Sequence, residues 1–206
     1  KQGPLYVFLM ASGKKWQLHL HSNQFANETD ASEPVANVQK EPLVQKVLPI
    51  IYKTVVNPRF EEMMTMSKYL AHKPPQWMST LADSLPSSGN PHGLIDFLKT
   101  LNGERWTAAE PKLAKLSPEV GFAYAKNIQK RFEAAEPEIA KSDKLSFQYA
   151  KEVIKGRFHA GEPTILKNIT LALDYGEQVV GGEWPELAKV TKTFSLAAVD
   201  YAIRVL

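Results

Sequence analysis

The chain contains no cysteine, and this absence removes several kinds of chemistry at once. Without thiols the protein has no disulfide bond, no thiolate nucleophile, and no zinc or iron–sulfur site held by cysteine. A cysteine-free composition also fits a reducing compartment. Other common signatures are missing from the sequence as well: it has no Gly-x-Ser-x-Gly elbow, no His-Glu-x-x-His pair and no glycine-rich phosphate loop.

Long apolar runs and a strong net charge are also missing. The longest apolar stretch, residues 47–56, contains Pro49 and Lys53, and no run approaches the roughly 18 apolar residues of a membrane span. The 25 basic and 22 acidic side chains give a net charge of +3, which is weak for a nucleic-acid-binding protein. We therefore expect a globular, non-membrane protein with no cofactor, and 206 residues suffice for one good-sized domain or two small ones.

The N-terminal residues predict a β-hairpin. Residues 5–10 are apolar and aromatic throughout, as in a buried strand, and Gly13 lies in the turn that follows. Residues 16–21 alternate, so that Trp16 and Leu18 share one face while His19 and His21 share the other. Because residues 1–4 include neither Met nor a signal-peptide pattern and a strand follows directly, we expect a processed product or a fragment.

His19 and His21 are the only candidate metal ligands that the sequence presents as a pair. Two histidines on one face of a strand can start a two-ligand site, and Glu28 and Asp30 are nearby acceptors. The face is the solvent side of the predicted hairpin, where a pair of histidines needs no metal to explain it. Solvated side chains are therefore the preferred interpretation.

Three regions follow from the pattern of helices and turns. The sequence predicts an α+β fold that is mostly α, with a β-hairpin module and loop over residues 1–40. A helical middle region follows over residues 41–90, with an amphipathic helix interrupted at Pro49 and a proline-rich linker at 86–91. Residues 91–206 are expected to form an α-solenoid of helix-turn-helix repeats.

The repeats are visible as four pairs of residues spaced 26 apart: Arg105-Trp106, Arg131-Phe132, Arg157-Phe158 and Glu183-Trp184. The first three pairs lead to Glu-Pro, which places a proline in the first turn of a short helix. A longer helix follows, which we expect to end at a left-handed glycine such as Gly156. The copies lie near residues 105–130, 131–156, 157–182 and 183–206. Residues 92–104 resemble the second half of a degenerate leading copy.

Arginine and glutamate recur together in these copies, and in the fourth both are lost, since Glu183 and Ala188 replace them. Joint loss indicates that the two side chains serve each other, so an arginine–carboxylate ladder is the preferred interpretation. An arginine row presented to phosphates is the alternative, and its partner glutamates would cancel much of its charge. The predicted ladder consists of Arg105, Glu110, Arg131, Glu136, Arg157 and Glu162.

The recurring aromatic residues predict the core between copies rather than platforms for nucleic-acid bases. One member follows each Arg or Glu directly, and a tyrosine follows 17 or 18 residues later. The predicted core set is Trp106, Phe132, Phe158, Trp184, Tyr124, Tyr149, Tyr175 and Tyr201.

Two stretches carry a resemblance to known proteins. Residues 156–165, Gly-Arg-Phe-His-Ala-Gly-Glu-Pro-Thr-Ile, with Tyr149-Ala-Lys-Glu-Val-Ile before them, resemble short tandem repeats in uncharacterised proteins of large tailed bacteriophages. Residues 3–8 and 17–25 are similar to a small β module of phage-encoded proteins. The resemblance implies a viral origin, with the virion or the host cytoplasm as location, and it implies no catalytic residue.

The sequence leaves three hypotheses for function. The first is a non-enzymatic interaction or structural protein whose helical repeats bind a protein partner, either a virion component or a host factor. The second is a nucleic-acid-binding protein that uses basic residues on the repeat face. The third is an enzyme fragment whose site lies in the N-terminal module or upstream of it.

Overall fold

The computed structural model describes residues 5–19, 22, 24–55, 60–89, 91, 93–192 and 195–204. It is mostly helical with a small antiparallel sheet at the N-terminus, which confirms the predicted α+β, mostly α class. The chain divides into two compact units, residues 1–85 and 86–206. The division falls at the start of the proline-rich linker, and residues 1–40 share the first unit with the helices that follow them.

The sheet of the first unit has three strands in the order β1-β2-β3. They are β1 (Leu5–Leu9), β2 (Lys15–His19) and β3 (Gln24–Asn27). The third strand lies in a stretch whose polar composition predicts a loop. Its polar composition conceals it, but Phe25 is fully buried against Phe8, with ring centroids 5.5 Å apart. The Asn27 side chain accepts hydrogen bonds from the N–H groups of Thr29 and Ala31 and so closes the turn after β3.

The prediction that β1 is a buried strand was wrong. Phe8 is 4% exposed, but Leu5, Val7 and Leu9 are 50%, 51% and 69% exposed. The physical reason is that β1 lies at the edge of a sheet with only one face packed on the core, so alternate residues face away from it. The alternation predicted for β2 is confirmed for Trp16 and Leu18, which are buried; Leu20 and His21 lie outside the described residues.

The described residues of the first unit also form the helices α1 (Val35–Lys40), α2 (Pro42–Val55), α3 (Phe60–Ser67) and α4 (Pro75–Ser84). The helix α2 continues across Pro49 without a restart. Tyr69 packs edge-on against Phe25 with centroids 5.1 Å apart, and the indole N–H of Trp77 donates to the Ser67 hydroxyl at 3.0 Å. The sheet and these helices therefore share one core.

The second unit is built from short helices and turns. Its α-helices are α5 (Leu94–Lys99), α6 (Glu110–Leu116), α7 (Pro118–Ile128), α8 (Glu136–Ile139), α9 (Asp143–Gln148), α10 (Glu162–Ile165), α11 (Ile169–Tyr175), α12 (Pro185–Thr191) and α13 (Ser195–Arg204). Two of them continue into π-helical turns, Tyr149–Ile154 after α9 and Gly176–Val180 after α11. The Ser142 side chain caps α9 by accepting from the Leu145 N–H, as Ser117 and Asn168 do at equivalent helix starts.

Left-handed residues recur at the 26-residue spacing. The backbone has positive φ at Gly103, Gln129, Lys155 and Gly181. The prediction that Gly156 takes this role was wrong by one position, because Lys155 is the left-handed residue, with φ 56°. The α-left region is open to a lysine at a modest energetic cost, so a neighbouring glycine was a misleading signal.

Candidate functional site

The predicted ladder residues of the copy 131–156 lie in one hydrogen-bonded cluster. Pro137 follows Glu136 in the first turn of α8, so the carboxylate is held where the helix begins. Arg131 donates through Nε and a terminal nitrogen to the two oxygens of Glu136, at 2.5 and 2.9 Å. The Tyr149 hydroxyl donates to the same carboxylate at 3.1 Å and accepts from the Phe132 N–H at 2.9 Å.

The same contacts occur in two other copies, with donor–acceptor distances between 2.6 and 3.2 Å. The sets are Arg105, Glu110 and Tyr124 with the Trp106 N–H, and Arg157, Glu162 and Tyr175 with the Phe158 N–H. Each arginine is thus engaged by a carboxylate of its own copy. The tyrosine is the member of the cluster that sequence reasoning did not assign to it.

Hydrogen bonding and burial hold the pKa values of two glutamates and three tyrosines in these clusters away from neutral pH. The hydrogen bond from Arg105 lowers the pKa of Glu110. Burial opposes ionisation of Glu162, but the hydrogen bond and charge of Arg157 outweigh it and leave the pKa of Glu162 below its ordinary value. Burial raises the pKa of Tyr124, Tyr149 and Tyr175 well above 10. Groups poised for proton transfer have pKa values near the working pH, so these clusters favour a structural role.

The fourth copy holds its tyrosine without the pair. The Tyr201 hydroxyl accepts from the Trp184 N–H at 2.9 Å, as its counterparts do. It donates to the Trp184 carbonyl at 3.3 Å, because Ala188 offers no carboxylate. Although this copy lacks both Arg and Glu, the Tyr201 hydroxyl therefore still has one hydrogen-bond donor and one acceptor as partners.

The tyrosine rings reach forward to the next copy. Ring centroids of successive aromatic residues lie 5.0 to 5.4 Å apart, mostly edge-to-face, a favourable aromatic geometry. The contacts are Phe97–Trp106, Tyr124–Phe132, Tyr149–Phe158 and Tyr175–Trp184. All eight residues of the predicted repeat core are at most 5% exposed. Phe97 takes the tyrosine's place in front of the first copy, in the predicted degenerate leading copy.

Close contacts between small residues join successive copies in two different ways. A Cβ added to Gly121 would lie 2.9 Å from the Ala135 Cβ, and one added to Gly161 would lie 2.6 Å from the Ser146 side chain. Gly121 corresponds to Ser146, and Ala135 corresponds to Gly161. At the first junction, a glycine of the earlier copy faces an alanine of the later copy. At the next junction, a serine of the earlier copy faces a glycine of the later copy. The two side chains at each junction therefore occupy a similar total volume, although the larger one belongs to a different copy.

A groove of about 490 Å³ lies in the second unit beside α7. Its apolar lining comes from Ile95 of α5, Phe122 and Ala123 of α7, and Leu145 of α9. The polar lining consists of Lys99, Glu119, Lys126 and Asn127. Sequence reasoning did not single out these residues, and the signal that could have found them is an aromatic and a lysine four residues apart on α7, Phe122 and Lys126.

The polar lining of the groove is partly engaged. Lys126 pairs with Glu152 at 2.6 Å, and its ammonium lies 5.8 Å from the Phe122 ring centroid. Lys99 pairs with Asp96 at 2.8 Å on a well-exposed surface. The Nδ2 group of Asn127 is buried and has no hydrogen-bond partner among the described residues. A buried amide donor without an acceptor calls for an explanation.

The predicted metal pair is only half described. His19 is partly exposed in β2, and His21 lies outside the described residues. In the part of the chain that the structure describes, no group of three or more His, Asp or Glu side chains is arranged to hold a metal ion. The structure therefore adds no further ligand to His19.

Comparison with family models, with curated protein sequences and with solved structures finds no match to this chain. Among the described residues, no helix combines the length and apolarity needed to cross a membrane. The geometry of the chain itself must therefore carry any functional conclusion.

Proposed function

We propose that residues 91–206 form an α-solenoid of 26-residue helix-turn-helix repeats whose role is to bind a protein partner without catalysis. The recurrence of one Arg–Glu–Tyr cluster in three copies supports the repeat interpretation. So do the forward ring contacts and the left-handed residues at constant spacing. In such an array each unit buries its apolar face only against its neighbours, which leaves an extended surface for a partner.

The groove beside α7 is the observation that carries the binding proposal. Four apolar side chains line it, beside Asn127, whose buried amide has no acceptor among the described residues. An apolar segment of a protein, laid between helices, is a standard mode of recognition for such a surface. Lys99 and Lys126 are already paired with Asp96 and Glu152, so the apolar lining rather than charge selects the bound segment.

The arginine forks favour a protein over a nucleic acid as the partner. Each arginine of the row makes two hydrogen bonds to a glutamate, so its charge is compensated and its donors are partly used. Binding to phosphates depends on free cationic groups that release counterions. A viral origin, with a virion component or a host factor as the partner, is part of the proposal and rests on the resemblance of the repeats alone.

A pair of matched substitutions tests the groove. Ala123 lies on α7 in the groove, and Ala202 is an exposed alanine on α13, so Ala123→Arg fills the groove and Ala202→Arg does not. A photo-reactive phenylalanine analogue at position 122 identifies the partner in the native host, and binding of the purified partner to each variant is then measured by calorimetry.

We expect Ala123→Arg to weaken binding about tenfold or more, as for truncation of an interface anchor, and Ala202→Arg to leave it unchanged. Both variants should melt within a few degrees of the parent. Equal affinity of the two variants would place the interface elsewhere. Binding of a DNA or RNA duplex that weakens steeply with salt, and no protein cross-link at position 122, would instead support the nucleic-acid hypothesis.

A further inference from the structure

The free edge of the sheet in the first unit has the features of an interface. β1 pairs with β2 on one side, and no described strand lies along its other side. Proteins normally protect such an edge with lysine, proline, a bulge or a covering segment. β1 has none of these within its bounds, since its five residues are Leu-Tyr-Val-Phe-Leu.

The backbone of β1 presents a regular set of groups to this edge. The Met10 N–H donates to the Lys14 carbonyl at 2.9 Å, which makes these two residues a hydrogen-bonded pair facing β2. Pairing alternates along an antiparallel ladder, so Phe8 and Tyr6 also bond to β2 in the observed register. The N–H and C=O groups of Leu5, Val7 and Leu9 therefore point away from β2, toward the free edge.

The side chains of the same three residues form an exposed apolar stripe. Leu5, Val7 and Leu9 are each at least half exposed and lie on the face opposite to Phe8. The strand is nearly symmetric about Val7: leucines lie two residues away on each side, and aromatic residues lie one residue away. An antiparallel partner of the same sequence would place Val7 against Val7, leucine against leucine and Tyr6 against Phe8.

We propose that β1 pairs with β1 of a second copy of this chain, antiparallel and centred on Val7, to form a continuous six-stranded sheet across a twofold axis. A twofold interface uses the same patch on both subunits, and this strand is complementary to its own reversed copy. The pairing satisfies the outward backbone groups of Leu5, Val7 and Leu9 and covers their side chains with those of the second copy. No charged residue in the strand opposes its own counterpart.

The first test is the oligomeric state of the full chain, measured by sedimentation over a range of concentrations. We expect a reversible dimer. Val7→Lys should weaken it at least tenfold, because two ammonium groups would meet at the twofold axis. Val199 on α13 is a matched control, since it is 55% exposed against 51% for Val7, and Val199→Lys should leave the dimer intact. A monomer at all concentrations overturns the proposal.

The second test uses the absence of cysteine, which lets one introduced thiol report on one position. In the proposed register the two Val7 Cα atoms lie about 5.5 Å apart, within the range of a disulfide. The two Leu5 Cα atoms lie roughly 14 Å apart, beyond it. Val7→Cys should thus give a covalent dimer on mild oxidation, whereas Leu5→Cys should not.

The cross-linking outcomes separate this pairing from other occupants of the edge. Cross-linking at position 5 as readily as at position 7 would indicate parallel pairing or random collision and would overturn the proposed register. A dimer that neither cross-links through position 7 nor responds to Val7→Lys would place its interface elsewhere. Circular dichroism of each variant verifies that the exposed substitutions leave the fold intact.

Discussion

The copies within residues 105–182 and the copy that starts at residue 183 hold the same tyrosine hydroxyl in two ways. In the first three copies the hydroxyl accepts from a backbone N–H and donates to a glutamate fixed by arginine. In the fourth, Tyr201 keeps the backbone N–H but donates to a backbone carbonyl. The difference teaches that the tyrosine-to-backbone bond is the constant feature, while the arginine and glutamate are an addition that supplies a stronger acceptor.

The largest effect we expect follows from the three tyrosines whose hydroxyls donate to glutamates. Their pKa values are raised above the ordinary value of 10, so stability is fully present below pH 10 and falls as pH rises, because the unfolded chain binds fewer protons. At pH 11 we expect a loss on the order of 1 kcal/mol for each tyrosine, and roughly three times that for the three together.

Alkaline titration checks this, with tyrosinate absorbance and helical circular dichroism followed together. The late-ionising tyrosines should titrate only as the helices are lost. Complete ionisation of all seven tyrosines near pH 10 with the helices intact would contradict the burial of these hydroxyls.

The next largest effect concerns the two junctions between copies, Gly121–Ala135 and Ser146–Gly161. Gly161→Ala brings a methyl group within 2.6 Å of Ser146 and 2.5 Å of Phe158, and we expect a loss of about 2 to 3 kcal/mol. Adding Ser146→Gly copies the Gly121–Ala135 junction and should recover about half of that loss. Urea unfolding of the two single variants and the double variant measures the coupling. Additive costs would mean that the junctions do not compensate.

Charge reversal sharpens the comparison between copies with and without the pair. Arg157→Glu removes two hydrogen bonds from the largely buried Glu162 and sets a second carboxylate beside it. We expect a loss of about 2 kcal/mol, less than for a fully buried pair because a third of the Arg157 side chain is exposed. Glu183→Arg is the equivalent reversal in the fourth copy and should change the free energy of unfolding by less than about 0.5 kcal/mol. Equal changes in the free energy of unfolding for the two reversals, measured in urea, would show that the copies with and without the Arg–Glu pair do not differ in this respect.

The smallest effect that we expect is a gain in stability. Glu183→Arg with Ala188→Glu transplants the fork into the fourth copy, where Tyr201 can donate to the new carboxylate. We expect the double variant to be more stable by about 0.5 kcal/mol and Ala188→Glu alone to be less stable than the parent. The sign of the coupling energy from urea unfolding decides this. A double variant no better than Ala188→Glu would show that the fourth copy cannot seat the pair.

Residue spacing was enough to predict much of the second unit. Joint replacement of Arg and Glu in the fourth copy indicated contact between Arg131 and Glu136 in the copies that keep both, and the caps Ser117, Ser142 and Asn168 follow from side-chain chemistry. The role of the tyrosine hydroxyl could not be predicted, because its partner is a backbone N–H 17 or 18 residues away. Every residue except proline has such a group, so the type of the partner residue gives no signal. The groove beside α7 escaped for a related reason. It depends on where α5 packs, and Ile95 lies before Arg105, outside the stretch in which the 26-residue spacing is visible.

The first unit was harder to predict because its segments do not repeat. The strand β3 contains two apolar residues among polar ones, and its burial depends on Phe8 and Tyr69, which are distant in sequence. The exposure of β1 likewise depends on which strand lies at the sheet edge, a property of topology rather than of composition. The local pattern predicted both strands of the hairpin and the buried face of β2, but not the exposed face of β1.

The tyrosine of each copy has its hydroxyl in its own copy and its ring against the following one. Dividing the chain between two successive copies would therefore separate a tyrosine ring from the aromatic ring that it packs against. The separation between the hydroxyl and its N–H differs by only one residue among the copies, so a longer insertion or deletion within a copy would shift a hydroxyl away from its N–H or a ring away from its partner. A segment built in this way would therefore change its length most readily by the gain or loss of a whole copy, which keeps each ring beside its partner.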